Sequence, residues 1–567
     1  MSHIWKSKIA YIDLTEKEVL EEYIDKQTLK EYVGGRGLGV KFLFDSLTPR
    51  IDPLSPDNIL IVCVGPLTGI APLSGRHAIV TKSPLTNTIF DSSAGGFFGA
   101  ELKRTGYDVL FIIGKSEEPC NIFLENENIE FKSAKALWGL NTKETTSKLK
   151  KYGRVMCIGR AGERLIKYAN IMNDYYHCAG RGGVGAVMGS KNLKAVVVKG
   201  NKKAEIADYD AYLKAEYEMT RLLKASPVLS KGLSNYGTAS LVALINYMNI
   251  MPTKNFQYSY FEEAEKISGE AIKENYSITK KPCYKCFIGC KRISDKEEVP
   301  EYETIWTFGA NLENSDLESL FKANSLCNDY GIDTISCGGT IATYAEKKQL
   351  FEDLKKDNLL ATLIKLIGEK KEIGSELAYG SYAYDAKLSM SVKGLELPGY
   401  DPRGCIGQAL SYATSNRGGC HLRAYMVGPE IIGKPKLIDR LSFNGKAGLV
   451  TIFQNLAACI DSLIFCKFTS FVLSEEEYAN LLSPVVGIDY TSEDLLTVGE
   501  RIWNLERLFN IREGFSRFED TLPDRVFDKI NKEEFEKMLS QYYHFRGWKE
   551  DGIPTKEKLL ELNIKVE

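Results

Sequence analysis

The chain has 567 residues, of which 44% are hydrophobic and 26% are charged, and its formal net charge is −2. At about 150 residues per domain, this length predicts three or four globular domains. The near-neutral charge argues against a nucleic-acid partner, and no apolar run approaches the ~20 residues that a membrane span requires.

The N-terminal segment predicts the cellular compartment. Its sequence, MSHIWKSKIAYIDL, mixes charged and apolar residues and lacks the continuous apolar core of a secretory signal. We therefore expect a cytoplasmic protein whose 13 cysteines are thiols or metal ligands rather than disulfides. Cys63, Cys157 and Cys459 lie in apolar stretches and are expected to be core residues.

Short apolar runs that end in glycine fill the first two hundred residues. Their β-branched and aliphatic residues predict buried strands followed by turns. The clearest runs are NILIVCVG (58–65), YDVLFIIGK (107–115), RVMCIG (154–159) and LKAVVVKG (193–200). We predict a β-rich domain over residues 1–205, which ends within the polar stretch NKKAEIADYD (201–210).

Apolar residues recur at helical spacing farther along the chain. The predicted amphipathic helices cover residues 208–225, 315–331 and 492–515, and Ser315 with Glu318 has the spacing of a capping box. Two mainly helical domains, over residues 206–410 and 411–567, complete an α+β fold. The charged and aromatic tail from about residue 540 is expected to lie on the surface.

Three cysteines lie close together in KPCYKCFIGCKR: Cys283, Cys286 and Cys290. Their C-x2-C-x3-C spacing lets several thiolates converge, and no second two-cysteine knuckle follows, so the motif favours a [4Fe–4S] cluster over zinc. The alternative is a surface loop with three incidental thiols. A cluster needs a fourth cysteine, and spacing leaves these candidates open: Cys327, Cys337, Cys405, Cys420, Cys459 and Cys466.

Five glycine-rich stretches occur in the predicted β-rich domain. They are GGRGLG (34–39), GPLTG (65–69), SGRHAI (74–79), SSAGGFFG (92–99) and GRGGVGAVMGSKN (180–192). Each of them alone is better explained by turns of a twisted sheet, and none matches a Walker A loop. Together, with their arginines, they favour a ligand that bears phosphate, because glycine lets backbone N–H groups approach an anion.

Long motifs in a fixed order make the chain similar to the tungsten-containing aldehyde ferredoxin oxidoreductase family. Besides the cysteine loop and the glycine-rich stretches, the motifs are EYET (301–304), LCNDYGIDTIS (326–336), NRGGCHLRAY (416–425) and DSLIFCKF (461–468). The resemblance covers nearly the whole chain. It implies that the β-rich domain consists of twisted sheets and binds a pterin cofactor.

The resemblance also implies the cofactors and the residues that hold them. Two pterin-dithiolenes would surround one tungsten or molybdenum atom, with Mg²⁺ bridging their phosphates and a [4Fe–4S] cluster nearby. Cys466, which closes DSLIFC, is implied to be the fourth cluster ligand. Asp333 and Asp461 lead the two segments that hold the pterins, although Cys337 and Phe465 depart from the family pattern. The other implied cofactor contacts are Arg76 between cluster and pterin, Ser93, Ala94, Gly95, Arg181, Gly182, Gly183, Val184, Gly185 and Arg423.

His421 matches the region of the family's active-site histidine. A single histidine is otherwise more often structural, but the resemblance favours a role in proton transfer. Glu303 is the expected acidic partner, and Glu301 and Glu313 are alternatives.

The activity that the resemblance implies is the oxidation of a small aldehyde to a carboxylic acid. The electrons would leave through the cluster to ferredoxin or another iron–sulfur carrier. One alternative is the catalytic subunit of a tungsten-dependent reductase of aromatic thioesters or carboxylic acids, and another is an iron–sulfur protein without tungsten. A homodimer or an assembly with electron-transfer subunits is compatible with either enzyme.

Overall fold

The computed structural model describes residues 5–295, 297–356 and 358–565. Residues 1–4, part of the N-terminal segment behind the cytoplasmic prediction, lie outside these ranges. Within them, no helix combines the length and the apolar character that crossing a bilayer requires.

Two six-stranded sheets form the N-terminal part of the chain. The first has the strand order β2-β1-β6-β3-β4-β5, in which β1 and β6 are parallel. Its strands are β1 (Lys8–Asp13), β2 (Glu18–Tyr23), β3 (Leu60–Cys63), β4 (His77–Lys82), β5 (Ile89–Ala94) and β6 (Val109–Ile113). The second has the order β11-β10-β9-β12-β7-β8, in which β12 and β7 are parallel. Its strands are β7 (Cys120–Glu125), β8 (Asn128–Ser133), β9 (Arg154–Cys157), β10 (Ile171–Asn173), β11 (His177–Ala179) and β12 (Leu193–Lys199).

The four apolar runs became strands β3, β6, β9 and β12. Aliphatic side chains of both sheets, among them Val62, Ile112 and Val196, belong to one buried apolar cluster. Burial of β-branched residues on pleated surfaces accounts for this arrangement. The prediction of a β-rich N-terminal part in an α+β fold is confirmed.

Helices flank the sheets and dominate the rest of the chain. Those of the N-terminal part are α1 (Lys26–Tyr32), α2 (Gly35–Ser46), α3 (Phe98–Thr105), α4 (Thr142–Leu149), α5 (Arg160–Glu163) and α6 (Val184–Ser190). The following helices are α7 (Tyr209–Ala225), α8 (Ser234–Tyr236), α9 (Leu241–Tyr247), α10 (Gly269–Asn275), α11 (Tyr302–Phe308), α12 (Leu317–Tyr330), α13 (Thr334–Lys348), α14 (Phe351–Leu354), α15 (Leu359–Glu369), α16 (Gly374–Leu377), α17 (Ser381–Tyr384), α18 (Ile406–Thr414), α19 (Lys446–Leu463), α20 (Glu475–Val486), α21 (Ser492–Arg512), α22 (Lys532–Phe545) and α23 (Lys556–Glu561).

Two small antiparallel sheets lie among these helices. Strands β13 (Ile278–Lys280), β14 (Arg292–Ser294) and β15 (Glu297–Glu298) form one, and the cysteine loop, residues 281–291, connects β13 to β14. Strands β16 (Ser391–Val392) and β17 (Leu395–Glu396) form the other.

Helix α2 contains the GGRGLG stretch and packs against α19 and α21. A Cβ atom on Gly35 would lie 2.5 Å from the Asp461 carbonyl oxygen, and one on Gly37 would lie 2.1 Å from the Tyr32 carbonyl oxygen. These glycines therefore allow close helix packing. The expectation of a sheet turn at GGRGLG is wrong.

Two further local predictions are wrong. The N-cap of α12 is Asp316, whose carboxylate accepts from the Glu318 N–H (3.0 Å), while the Ser315 hydroxyl donates to Glu263 (2.7 Å). Aspartate caps a helix as well as serine does and adds a negative charge at the positive end of the helix dipole. The C-terminal tail is not superficial either, since Tyr542 is fully buried and its hydroxyl accepts from the Trp503 indole N–H (3.0 Å).

Candidate functional site

One buried chamber of about 350 Å³ lies where the sheets meet the helices. Most of the predicted site residues line it, although they come from distant parts of the chain. They are Arg76, Ser93, Arg181, Cys283, Cys286, Cys290, Glu303, Asp333, His421, Arg423, Asp461 and Cys466.

The remaining predicted residues lie behind the chamber wall. Ala94 and Gly95 follow Ser93, and a Cβ atom on Gly95 would lie 2.9 Å from the Cys283 sulfur. Gly182 and Gly183 adopt left-handed φ angles of 83° and 71°, and they lead into α6, which begins with Val184 and Gly185. These residues adjoin residues that line the chamber.

Backbone hydrogen bonds fix the shape of the cysteine loop. The Lys281 N–H donates to the Lys291 carbonyl oxygen (2.9 Å) and closes the neck of the loop. The Gly289 N–H donates to the Cys286 sulfur (3.5 Å), and Gly289 has a φ of 58° that suits glycine. The Tyr284 N–H donates to the Gly96 carbonyl oxygen (3.0 Å), so the loop is attached to the end of the first sheet.

Cys466 reaches the same place from the opposite direction. Helix α19 ends at Leu463, Ile464 takes a left-handed conformation, and the Cys466 N–H donates to the Leu73 carbonyl oxygen (3.0 Å). Of the six candidates for the fourth ligand, Cys420 and Cys466 line the chamber. The Cys420 sulfur accepts from Arg417 Nη2 (2.8 Å), whereas Cys466 is close enough to Cys283 for the two thiols to interact electrostatically.

Three of the four thiols, those of Cys286, Cys290 and Cys466, are difficult to ionise without a cation. Burial, followed by the neighbouring thiol of Cys466, raises the pKa of Cys286 to about 12. Burial, followed by the charge of Glu301, raises the pKa of Cys290. Burial also raises the pKa of Cys466. No three His, Cys, Asp or Glu side chains of the described residues form a site for one metal ion. A polynuclear cluster suits such thiols better, because each of its irons takes its own thiolate and its positive charge favours deprotonation.

Arg76 lies beside the cysteine loop and the end of β5. Its Nη2 donates to the carbonyl oxygen and to the hydroxyl of Ser93, both at 3.1 Å. A Cβ atom on Gly95 would lie 3.4 Å from Arg76 Nη1 as well as close to the Cys283 sulfur. The guanidinium therefore lies close to the thiols of Cys283 and Cys466.

Arg181 and Asp333 form an ion pair in the chamber wall. Arg181 Nε lies 3.2 Å from Asp333 Oδ2, and its two other nitrogens donate to the carbonyl oxygens of Gly419 (2.9 Å) and Glu396 (2.7 Å). Asp333 is also the N-cap of α13, where its carboxylate accepts from the Ile335 N–H (3.2 Å).

Asp461 belongs to a buried network of charges. Its carboxylate lies 2.8 Å from Lys467 Nζ and 3.3 Å from both Arg36 Nη1 and Arg423 Nη2. Arg423 Nη1 also donates to Asp91 Oδ1 (2.6 Å). Burial alone would raise the pKa of Asp461, but these cations outweigh it and lower that pKa. Sequence reasoning missed Arg36, Asp91 and Lys467, although each lies within or next to a quoted motif.

Several buried polar atoms of the chamber residues find no partner within the described chain. They are Asn170 Oδ1, Glu303 Oε1, Arg417 Nε, His421 Nδ1 and Arg423 Nε. Native proteins rarely leave such atoms unpaired. Donors and acceptors both remain free, so the chamber fits a large polar ligand, and its arginines favour an anionic one.

His421 and Glu303 face each other with 3.6 Å between Nε2 and Oε1. Burial, followed by the charges of nearby arginines such as Arg181, lowers the pKa of His421 well below its usual value. Burial raises the pKa of Glu303 to about 8. Both side chains are therefore uncharged near pH 7.

Both alternative carboxylates pair with lysines, although Glu301 also lines the chamber. Glu301 lies 3.1 Å from Lys291 Nζ, and Glu313 lies 3.0 Å from Lys254 Nζ. Glu303 is therefore the predicted carboxylate that the fold brings to His421.

Two comparisons with known proteins agree on one family. Residues 9–200 match the sequence model described as "Aldehyde ferredoxin oxidoreductase, N-terminal domain", and residues 214–564 match "Aldehyde ferredoxin oxidoreductase, domains 2 & 3". The chain is 44% identical to the tungsten-containing aldehyde ferredoxin oxidoreductase of Pyrococcus furiosus over 98% of each chain. It is 43% identical to the protein of that name from Thermococcus kodakarensis, again over 98% of each chain.

A solved structure has the same fold at lower sequence identity. It is the active-site complex BamBC of benzoyl-coenzyme A reductase with 1,5-dienoyl-coenzyme A. The TM-score is 0.84 and the identity is 24%, with 98% of this chain and 97% of the other covered.

Proposed function

The chain belongs to the aldehyde ferredoxin oxidoreductase family, and on that basis we propose that it oxidises an aldehyde to a carboxylic acid and delivers the electrons to ferredoxin. The overall reaction consumes one aldehyde and one water and yields the acid, two protons and two electrons. The observation that best supports the proposal is the single chamber in which four thiols, a basic wall and the pair His421–Glu303 meet.

A tungsten bis-pterin in the chamber would supply two-electron chemistry, and a [4Fe–4S] cluster would supply one-electron transfer. Cys283, Cys286, Cys290 and Cys466 hold the cluster in this proposal. In this proposal Arg76 lies between the cluster and the pterin. Its permanent positive charge would favour the passage of electrons from the pterin to the cluster.

The acidic and basic side chains of the wall position the anionic cofactor. Asp333 and Asp461 keep Arg181 and Arg423 in place by ion pairs of 3.2 and 3.3 Å. Arg423 retains an unpaired Nε for the ligand. The bridging Mg²⁺, the alternative metal molybdenum and the assembly with a second copy or with other subunits stay predictions, as does the cytoplasmic location.

His421 and Glu303 handle a proton of the reaction. The raised pKa of Glu303 favours its protonated form, and its Oε1 faces His421 Nε2 across 3.6 Å, so a proton would pass between them once the pair closes to hydrogen-bond distance. Among the described residues His421 Nδ1 has no hydrogen-bond partner, and it is available to the substrate. The rings of Tyr400 and Tyr425, 5.3 and 5.9 Å from the imidazole, hold it in position.

Anaerobic purification followed by elemental analysis and a dye assay tests the proposal. We expect tungsten, about four iron atoms per chain, and viologen reduction by short, branched or aromatic aldehydes. A fully folded protein with iron but neither tungsten nor molybdenum would contradict the proposal. Full metal loading with thioester or acid reduction and no aldehyde oxidation would favour the reductase alternative.

A further inference from the structure

The cysteine loop carries a local positive charge that the chain as a whole lacks. From Lys280 to Arg292 the sequence contains five Lys or Arg residues and no Asp or Glu, in a chain of net charge −2. Arg292 is buried and donates to backbone carbonyl oxygens, and the half-buried Lys291 is bonded inward to Glu298. Lys280 and Lys285 are exposed, so the loop and the strand before it present cations to solvent within three residues of its thiols.

Helix α7 is linked to this loop at two points, once through a shared acceptor and once by a direct contact. The Tyr212 hydroxyl and Lys285 Nζ donate to the same carbonyl oxygen, that of Ile70, at 3.3 and 2.7 Å. Toward the other end of α7, Lys224 Nζ lies 5.5 Å from the ring centre of Phe287, which sits between Cys286 and Ile288. The loop and α7 therefore form one continuous face.

An apolar stripe runs along the exposed side of α7, beside the exposed charged residues Asp210, Lys214, Glu218 and Arg221. Tyr209, Leu213 and Tyr217 recur at four-residue spacing and are 59%, 43% and 67% exposed. Lys224 continues this line two turns farther on, because seven residues correspond to nearly two helical turns. Exposed apolar stripes bordered by charge are typical of protein–protein contacts.

Further cations border the loop on the side opposite α7. Arg104 Nη2 donates to the Tyr284 hydroxyl of the loop (3.1 Å), and its side chain is 45% exposed although Glu101 lies 3.4 Å away. Lys202 and Lys203 line the groove next to Arg104.

We propose that the face formed by the cysteine loop and α7 is the docking surface of a dissociable, acidic ferredoxin. The inference rests on the proposed function and adds the site of electron exit. An acidic carrier would be steered to the cations of the loop, and the stripe on α7 would stabilise the contact. The carrier's own cluster would thereby approach the thiols of the loop at their most exposed side.

Charge reversal on this face separates docking from catalysis. We would compare the wild-type holoenzyme with Lys224→Glu/Lys280→Glu, which changes two exposed lysines outside the loop, and with Leu213→Ser/Tyr217→Ser. The matched control is Lys537→Glu/Lys556→Glu, which reverses two exposed lysines on α22 and α23. Aldehyde-dependent rates would be measured with a small acidic ferredoxin and with a zwitterionic sulfonatopropyl viologen, which does not depend on a docking surface.

Both face variants should lower kcat/KM for ferredoxin by about tenfold or more, with an unchanged rate for the viologen. Salt should reduce the wild-type ferredoxin rate but hardly affect that of the charge-reversed variant. Calorimetric titration should show that both face variants bind ferredoxin more weakly than the wild type does. This measurement does not depend on turnover.

Unchanged ferredoxin rates and affinities in both variants would overturn the docking surface. An equal loss with ferredoxin and viologen would overturn it as well. Failure of the wild type to reduce viologen with any aldehyde would contradict the proposed function instead. In that case the calorimetric titration would still test whether ferredoxin binds to the proposed docking surface.

Discussion

The pair His421–Glu303 is uncharged on both sides because burial disfavours the charged form of each group, and the nearby arginines further disfavour a protonated His421. The protonated state of Glu303 also links the pair to stability. Since burial raises the pKa of this carboxyl from 4.5 to about 8, its contribution to stability is complete below pH 4.5 and is lost as the pH rises through 8. The same proton is the one that the proposed reaction uses.

The pH profile of aldehyde oxidation should reflect the ionisation of the Glu303 carboxyl group. The wild-type kcat/KM is expected to fall above about pH 8, where the carboxyl loses its proton. Glu303→Gln should lower kcat/KM by about 100-fold and remove this alkaline limb, because the amide cannot titrate. Glu313→Gln, a change at a carboxylate paired with Lys254, should leave the profile unaltered. An alkaline limb that persists in Glu303→Gln would exclude Glu303 as its source.

Substitution of Cys466 tests the fourth cluster ligand. In Cys466→Ser we expect the visible absorbance of the cluster and the iron content to fall, since a thiolate is lost from the set. Cys459→Ala serves as the control, because Cys459 is a buried thiol on α19, the helix that precedes Cys466, but is not among the residues that line the chamber. An unchanged spectrum and iron content in Cys466→Ser would mean that another cysteine is the ligand.

At the residue scale, the spacing of residues in a motif predicts only sites whose residues are close together in the sequence. The three cysteines of the loop were evident from their spacing, whereas Cys466 followed from the family resemblance because it lies far along the chain. The ion pair between Arg36 and Glu506 joins residues 470 positions apart (2.7 Å). No periodicity or motif in the sequence indicates such a pair.

At the scale of elements, strands and long helices were predictable from apolar periodicity. Helix α7 begins at Tyr209 with Asp208 as its cap, and α21 begins at Ser492, as expected. The prediction of a turn at GGRGLG was wrong because glycine intrinsically disfavours helices. In this fold α2 packs against α19 and α21, and there is no room for side chains at these glycines.

The close packing of α2 makes a prediction about Gly37. In Gly37→Ala the new Cβ would lie 2.1 Å from the Tyr32 carbonyl oxygen, and this backbone atom cannot move aside. We expect destabilisation by about 1–3 kcal/mol, seen as a lower midpoint of thermal unfolding. Gly232→Ala is the control, since no atom lies within 4 Å of its Cβ position. Equal midpoints for the two variants would contradict the packing argument.

At the scale of the whole molecule, the chamber depends on all three predicted domains. Arg76 and Arg181 come from residues 1–205, Glu303 and Asp333 from 206–410, and the DSLIFC segment from 411–567. The domain boundaries themselves stay predictions. The chamber could not be seen from the sequence, because it is formed by contacts between these parts rather than within any of them.

The central claim is that electrons from an aldehyde reach the cluster within this one chamber. Its most direct test is an anaerobic titration of the oxidised, tungsten-loaded protein with an aldehyde, without ferredoxin or dye. The cluster would be followed by visible absorbance and electron paramagnetic resonance, with the corresponding carboxylate as the control. The account predicts that the aldehyde reduces the cluster and the carboxylate does not. A cluster that stays oxidised in tungsten-loaded protein after excess aldehyde would contradict it.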